Sequence, residues 1–253
     1  MNKPWTRNET IVAFNLYCKI PFKSSSKSNV LVQKYASLLG RSASALNMKI
    51  GNIGRLDPDL KAQGISGLVH GAKLEEDIWN EFYDNPSLLA YESERIIAEL
   101  QNKPVEESSN VIIDNIPQGE ERNTIIKQRV NQSFFRSTVL SSYNNLCCIS
   151  GVGNIELLEA CHIVGWADDV NNRTNPKNGL CLNSFFHKAY DKLLIGITPD
   201  LKIVISDELL FQTQNDNFKK YLNEINNKKI ILPDKFFPDK NLLQVHYERY
   251  KNK

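Results

Sequence analysis

The stretch Leu157-Leu-Glu-Ala-Cys161-His162-Ile-Val164, followed by Asn175-Pro-Lys-Asn178-Gly-Leu-Cys-Leu182 and then His187-Lys-Ala-Tyr-Asp191, decides how this chain is read. A histidine lies on an apolar run, an asparagine closes a polar loop, and a second histidine opens a helix. The chain has four histidines, and two of them, His162 and His187, fall here. Residues 155–164 are dense in apolar and β-permissive types and read as a short strand ending near Gly165-Trp166. The segment 167–179 is rich in turn formers, and Asn178-Gly179 is a strong turn dipeptide. Leu180-Cys-Leu182 gives a second strand, and Ser184 is the expected N-cap of a helix bearing His187 and Asp191. Those two stand at i and i+4 on one helix face, where an imidazole and a carboxylate can grip one cation. Phosphodiester hydrolysis needs a base for water and neutralisation of charge on phosphorus and the leaving oxygen. Taken singly, a histidine beside an apolar strand is core and a His/Asp pair is a surface hydrogen bond. Their joint occurrence, in this order within one short stretch, is specific as a constellation and weak in its parts.

This His–Asn–His order resembles the HNH endonucleases, whose ββα-metal unit uses one divalent ion. The likeness runs from about residue 125 to 250. It includes Arg129 through Leu140, Tyr143 through Gly151, a strand pair after Asp191, and the tail Ile230 through Arg249. Those segments resemble a subgroup of bacterial HNH proteins regarded as restriction enzymes. The resemblance implies His162 as general base, Asn178 as the residue orienting the base or the metal, and His187 as metal ligand. It implies a divalent ion, Mg²⁺ or Mn²⁺, with Zn²⁺ as the alternative. Many family members place an acid or histidine directly before the base, but this chain has Cys161. A thiolate suits Zn²⁺ better than Mg²⁺, so two readings stay open. Either Cys161 is a ligand, or it is a small buried residue and Asp191 completes the coordination. The resemblance also gives Arg129, Gln132 and Arg136, on a predicted helix, the role of gripping the DNA backbone or bracing the site, against a plain surface salt bridge.

The rest of the chain reads by charge and punctuation. Its net charge of +2 hides nine Lys/Arg against one acid in residues 1–55, and thirteen acids against three bases in residues 74–122. The basic block implies a polyanionic partner, DNA. Thr6 and Glu9 form a capping-box pattern for a first helix. Asn29 opens a second helix that stops at Gly40, and Ser42 caps a third through Ile53. The three resemble a helix-turn-helix or Myb-like unit. Arg41, Ser44, Asn47 and Lys49 are then the exposed positions facing DNA, with Ala45, Leu46, Ile50 and Ile53 in the core. Residues 73–100 read as amphipathic helix broken at Asp84-Asn85-Pro86.

The expected organisation is α+β: a helical DNA-binding or specificity domain over 1–100, a linker over 101–123 in which the Val111–Ile113 run docks, and an HNH domain over 124–253. His70, Trp166 and His246 read as packing residues. The five cysteines form no C-x-x-C pair, which argues against a structural zinc. With no signal peptide or membrane span in the sequence, the expectation is a cytoplasmic protein with reduced cysteines. A restriction or defence role and a homodimer, which palindromic double-strand cutting requires, complete that reading. The alternative is a non-catalytic DNA-binding protein with a degenerate HNH fold.

Overall fold

Thr6 stops the chain from fraying where the first helix begins. Its hydroxyl accepts from the Glu9 backbone N–H at 3.2 Å, and the Glu9 carboxylate accepts from the Thr6 N–H at 2.8 Å. The computed structural model describes residues 3–65, 71–109, 111 and 119–253. The chain divides into two compact units, Met1–Ser142 and Tyr143–Lys253. The expectations for His70 and for the docking of Ile112 and Ile113 lie outside the described residues.

In the first unit α1 (Arg7–Lys19) is buried on every side from Glu9 to Cys18, because α3, α5, α6 and α8 all pack on it. Around it run α2 (Val30–Leu38), α3 (Ala43–Gly54), α4 (Pro58–Ala62), α5 (Lys73–Phe82), α6 (Pro86–Gln101), α7 (Val105–Ser108) and α8 (Glu120–Ser142). Asn29 and Ser42 cap α2 and α3, and Gly40 takes the left-handed turn (φ +61°) between them. Phe14 stacks on Trp79 with ring centroids 5.0 Å apart, and Leu46, Ile50 and Ile53 join that core. Ala45, expected in the core, is only half-buried.

Two expectations for this unit are corrected. The segment 101–123 is not a plain linker: α7 packs against α6 and α8, and Arg122 pairs with Glu106 at 2.7 Å. The division falls at Ser142/Tyr143 because α8 buries Ile126, Val130, Phe134 and Val139 against the helices before it. Arg41 and Lys49, moreover, are not exposed cations. Arg41 forks onto Glu9 at 2.8 and 3.0 Å and lies over the Trp5 ring at 4.6 Å. Lys49, 5 % exposed, is bonded to the fully buried Glu75. Moving either cation to a phosphate would strand a buried carboxylate. Ser44 is exposed, and half-buried Asn47 accepts a hydrogen bond from Ser25 Oγ at 3.0 Å.

The second unit holds β1 (Leu158–His162) and β2 (Gly179–Asn183), an antiparallel pair with Cys161 opposite Leu180 and His162 opposite Gly179. Residues 155–157, expected as strand, form a 3₁₀ turn instead, capped by Asn154. Helix α9 (Ser184–Asp191) packs across both strands. Its N-cap is Asn183 rather than Ser184; the Asn183 side-chain Oδ1 accepts from the Phe186 N–H at 3.0 Å. A second hairpin, β3 (Ile195–Ile197) and β4 (Ile203–Ile205), follows, then α10 (Asp207–Gln212), α11 (Asp216–Ile225) and α12 (Lys240–Lys251). Gly196 lets α12 approach β3, since a Cβ there would meet the Tyr250 ring at 2.9 Å.

Candidate active site

Strand alternation sends Glu159 and Cys161 to one face of β1, and helical spacing sends His187 and Asp191 to one face of α9. The two faces meet. Glu159 is bonded to His187 Nδ1, while Cys161 Sγ lies 3.9 Å from an Asp191 carboxylate oxygen. His187 Nε2 stands 3.4 Å from the other Asp191 oxygen. Donor atoms of Cys161, His187 and Asp191 all lie within 4.8 Å of one another, and among the described residues they form the one such group. A nitrogen, an oxygen and a sulfur at that spread fit one divalent ion after a small contraction. Cys161 is fully buried, whereas the His187 and Asp191 side chains are 25 % and 54 % exposed. The group therefore has a closed floor and an open side.

Glu159 was not foreseen as a site residue. The Glu159 carboxylate takes His187 Nδ1 with one oxygen and the Ser184 hydroxyl, at 2.8 Å, with the other. That leaves Nε2 as the nitrogen presented to a cation, the usual carboxylate–histidine–metal arrangement. The sequence signal for it is weak, an acid two residues before Cys161 on a short strand, and gains meaning only once α9 is placed opposite.

His162 is set by the loop between the strands. Its Nε2 lies 2.9 Å from the Arg173 carbonyl oxygen. A carbonyl can only accept, so Nε2 carries the proton and Nδ1 is the basic nitrogen. Burial pushes the imidazole pKa below its ordinary 6.5, against the opposing pull of the Arg173 carbonyl. At neutral pH the ring is therefore uncharged. Arg173 also bonds the Trp166 carbonyl through Nε at 2.7 Å, and its guanidinium lies 5.0 Å from the Trp166 ring. The indole edge meets the His162 ring at 5.7 Å, so Trp166 packs on that imidazole.

Asn178 does not reach His162 or the donor group with its side chain. It is fully buried, and its amide is spent on the backbone. Oδ1 accepts from Val164 N–H at 2.9 Å, while Nδ2 donates to the carbonyls of Val164 at 3.0 Å and Asn172 at 3.2 Å. These bonds draw the two ends of the loop together and so fix the place of the Arg173 carbonyl. On α8, in the other unit, Arg129 and Arg136 are exposed and Gln132 is half-buried, with Arg129 donating to Gln132 at 3.3 Å. None of the five cysteines is in a disulfide, and all five are buried.

Residues 147–198 match the family model of the HNH endonucleases, a span that takes in β1, β2, α9 and β3. No curated protein matches the chain. The second unit thus carries an HNH endonuclease domain within a mixed fold of helices and small antiparallel sheets. No helix among the described residues is long and apolar enough to cross a membrane.

Proposed function

We propose that the chain is a metal-dependent DNA endonuclease in which His162 is the general base. The observation that carries this is the pinning of His162 Nε2 by the Arg173 carbonyl, which leaves a neutral imidazole on the residue next to Cys161 of the Cys161–His187–Asp191 group. In the proposed reaction Nδ1 takes a proton from water as its oxygen attacks phosphorus and the bond to the leaving oxygen breaks. His187 Nε2, Asp191 and Cys161 would hold a divalent ion, which would supply charge neutralisation at the phosphate and the leaving oxygen. Glu159 orients His187, and Asn178 holds the loop that orients His162.

DNA would be held by the first unit through α1–α3, arranged in a Myb-like manner. Ser44, Asn47 and the exposed cations Lys23, Lys27 and Lys34 replace Arg41 and Lys49 in that role. Arg129 and Arg136, with Gln132 between them, offer a further phosphate-binding face on α8. A restriction or defence role, action as a homodimer and a cytoplasmic setting complete the proposal. The test is cleavage of supercoiled plasmid with Mg²⁺, Mn²⁺ or Zn²⁺, with and without chelator. Metal-dependent cutting that falls by about 10²–10⁴ in His162→Ala, with DNA binding kept, is expected. Cutting by both proteins alike would refute the assigned base. Binding without cutting by the wild type would favour a DNA-binding protein with an inactive HNH domain.

A further inference from the structure

The sulfur in the donor group decides which cation belongs there. Mg²⁺ prefers six oxygen ligands in octahedral array and keeps several waters, so a site with thiol sulfur and imidazole nitrogen suits it poorly. Cys161 cannot swing aside to leave oxygens alone: it is fully buried, it sits mid-hairpin opposite Leu180, and its thiol faces Asp191 at 3.9 Å and the His162 carbonyl at 3.5 Å. Glu159, the nearest extra carboxylate, is committed to His187 Nδ1 and to Ser184. A cation seated between His187 Nε2 and Asp191 therefore has sulfur as its third protein neighbour. Three protein donors with one side open match a catalytic site of the zinc type, which keeps a position for water or substrate.

We infer that this site selects a thiophilic divalent cation of the zinc class, bound through Cys161 Sγ together with His187 and Asp191, over Mg²⁺. The inference rests on the metal site of the nuclease reading and names its cation. On binding, the sulfur–metal bond replaces the S–H bond and the proton leaves to solvent.

The test uses the full chain, stripped with chelator and titrated with Co²⁺ as a spectroscopic probe. A sulfur-to-cobalt charge-transfer band in the near ultraviolet is expected, at one Co²⁺ per chain. Cys161→Ser should lose the band, and Cys148→Ser, which removes a buried thiol outside the group, should keep it. Zn²⁺ should displace Co²⁺ near stoichiometry, whereas a large excess of Mg²⁺ should not. Should Cys161→Ser fail to fold by circular dichroism, zinc X-ray absorption of the wild type decides, with one sulfur at about 2.3 Å expected. A band that survives in folded Cys161→Ser, a zinc shell without sulfur, or displacement by Mg²⁺ would overturn the inference. Plasmid cleavage separates the two readings. Cutting without a sulfur band leaves the nuclease and removes the thiophilic site, while a sulfur band without cutting does the reverse.

Discussion

At His162 two effects act in opposite senses, and the winner sets a pH dependence. Burial disfavours the imidazolium and the Arg173 carbonyl favours it; burial is the larger, so the folded-state pKa lies below 6.5. The imidazole stays neutral as pH falls through the range in which an exposed histidine would already protonate. The acid limb of cleavage by the wild type is therefore expected below pH 6.5, measured as initial rates from pH 5 to 8 at saturating metal. A limb centred above 6.5 would place the controlling proton on another group. Glu159 poses a different question, because it works through His187. Glu159→Gln keeps the shape but gives up the charged acceptor, so metal affinity should drop about 10–100-fold. Titration calorimetry reads that drop directly, and saturating metal should restore most of the cleavage rate. A rate that stays low with the site filled would mean that Glu159 touches the reaction itself. His162, Asn178 and His187 stood out in the sequence because their order carries information. Glu159 was passed over because a single acid on a short strand acquires meaning only when the helix opposite it is known.

At the scale of elements, the loop between β1 and β2 is held at both ends by one side chain. Asn178→Ala would leave the Val164 N–H and C=O without their partner in a buried place, a cost of about 2–4 kcal/mol. The expected result is a lower melting temperature, faster hydrogen exchange at Val164, and slower cleavage because the Arg173 carbonyl is no longer fixed. Unchanged exchange at Val164 would contradict the role given to Asn178. Helix α12 supplies a second case. His246 stacks on Tyr190 of α9 with ring centroids 3.6 Å apart, and burial pushes its pKa down to about 4. An unfolded chain takes up this proton near pH 6.5 and the folded chain does not until about 4. Stability is thus full above 6.5 and is lost as pH falls through that window. Urea denaturation at pH 7.5 and 5.0 should show a larger loss in the wild type than in His246→Gln. Helices α1, α2, α3 and α6 were legible because capping is local: Thr6, Asn29, Ser42 and Pro86 mark starts that depend on neighbours three residues away, whereas the short α4 and α7 were not read. The cap of α9 was misread by one residue, since Asn183 and Ser184 are both competent and only the end of β2 decides between them.

For the whole molecule, the sequence showed a basic block beside an acidic one, and the structure shows how much of that charge is spent internally. Arg7 pairs with Glu81, Lys19 with Glu94, Arg41 with Glu9, and Lys49 and Arg55 with Glu75. Apart from Arg41–Glu9, which lies within the basic block, these pairs set acids of the acidic block against four of the nine basic side chains, Arg7, Lys19, Lys49 and Arg55, which a count of charges along the chain cannot reveal. A division at Ser142/Tyr143 was equally hidden, because the apolar stripe of α8 says that the helix is packed but not on what. Two sets of substitutions separate internal from external charge. Lys49→Ala leaves the buried Glu75 short of its closest cation and should cost about 3 kcal/mol of stability. Its effect on DNA should appear only through that loss of fold. The triple change Lys23→Ala, Lys27→Ala and Lys34→Ala removes three exposed cations on or beside α2, so DNA affinity should fall alike for every sequence, with circular dichroism checking the fold because Lys34 also lies over the Tyr35 ring at 5.5 Å. Because each phosphate contact releases about 0.9 of a counterion, the slope of log affinity against log salt should shrink by about 2 to 3. Fluorescence anisotropy on labelled duplex at several salt concentrations measures both quantities. An unchanged slope in the triple variant would move the DNA-binding face away from α2, leaving Arg129 and Arg136 on α8 as the cations to test next.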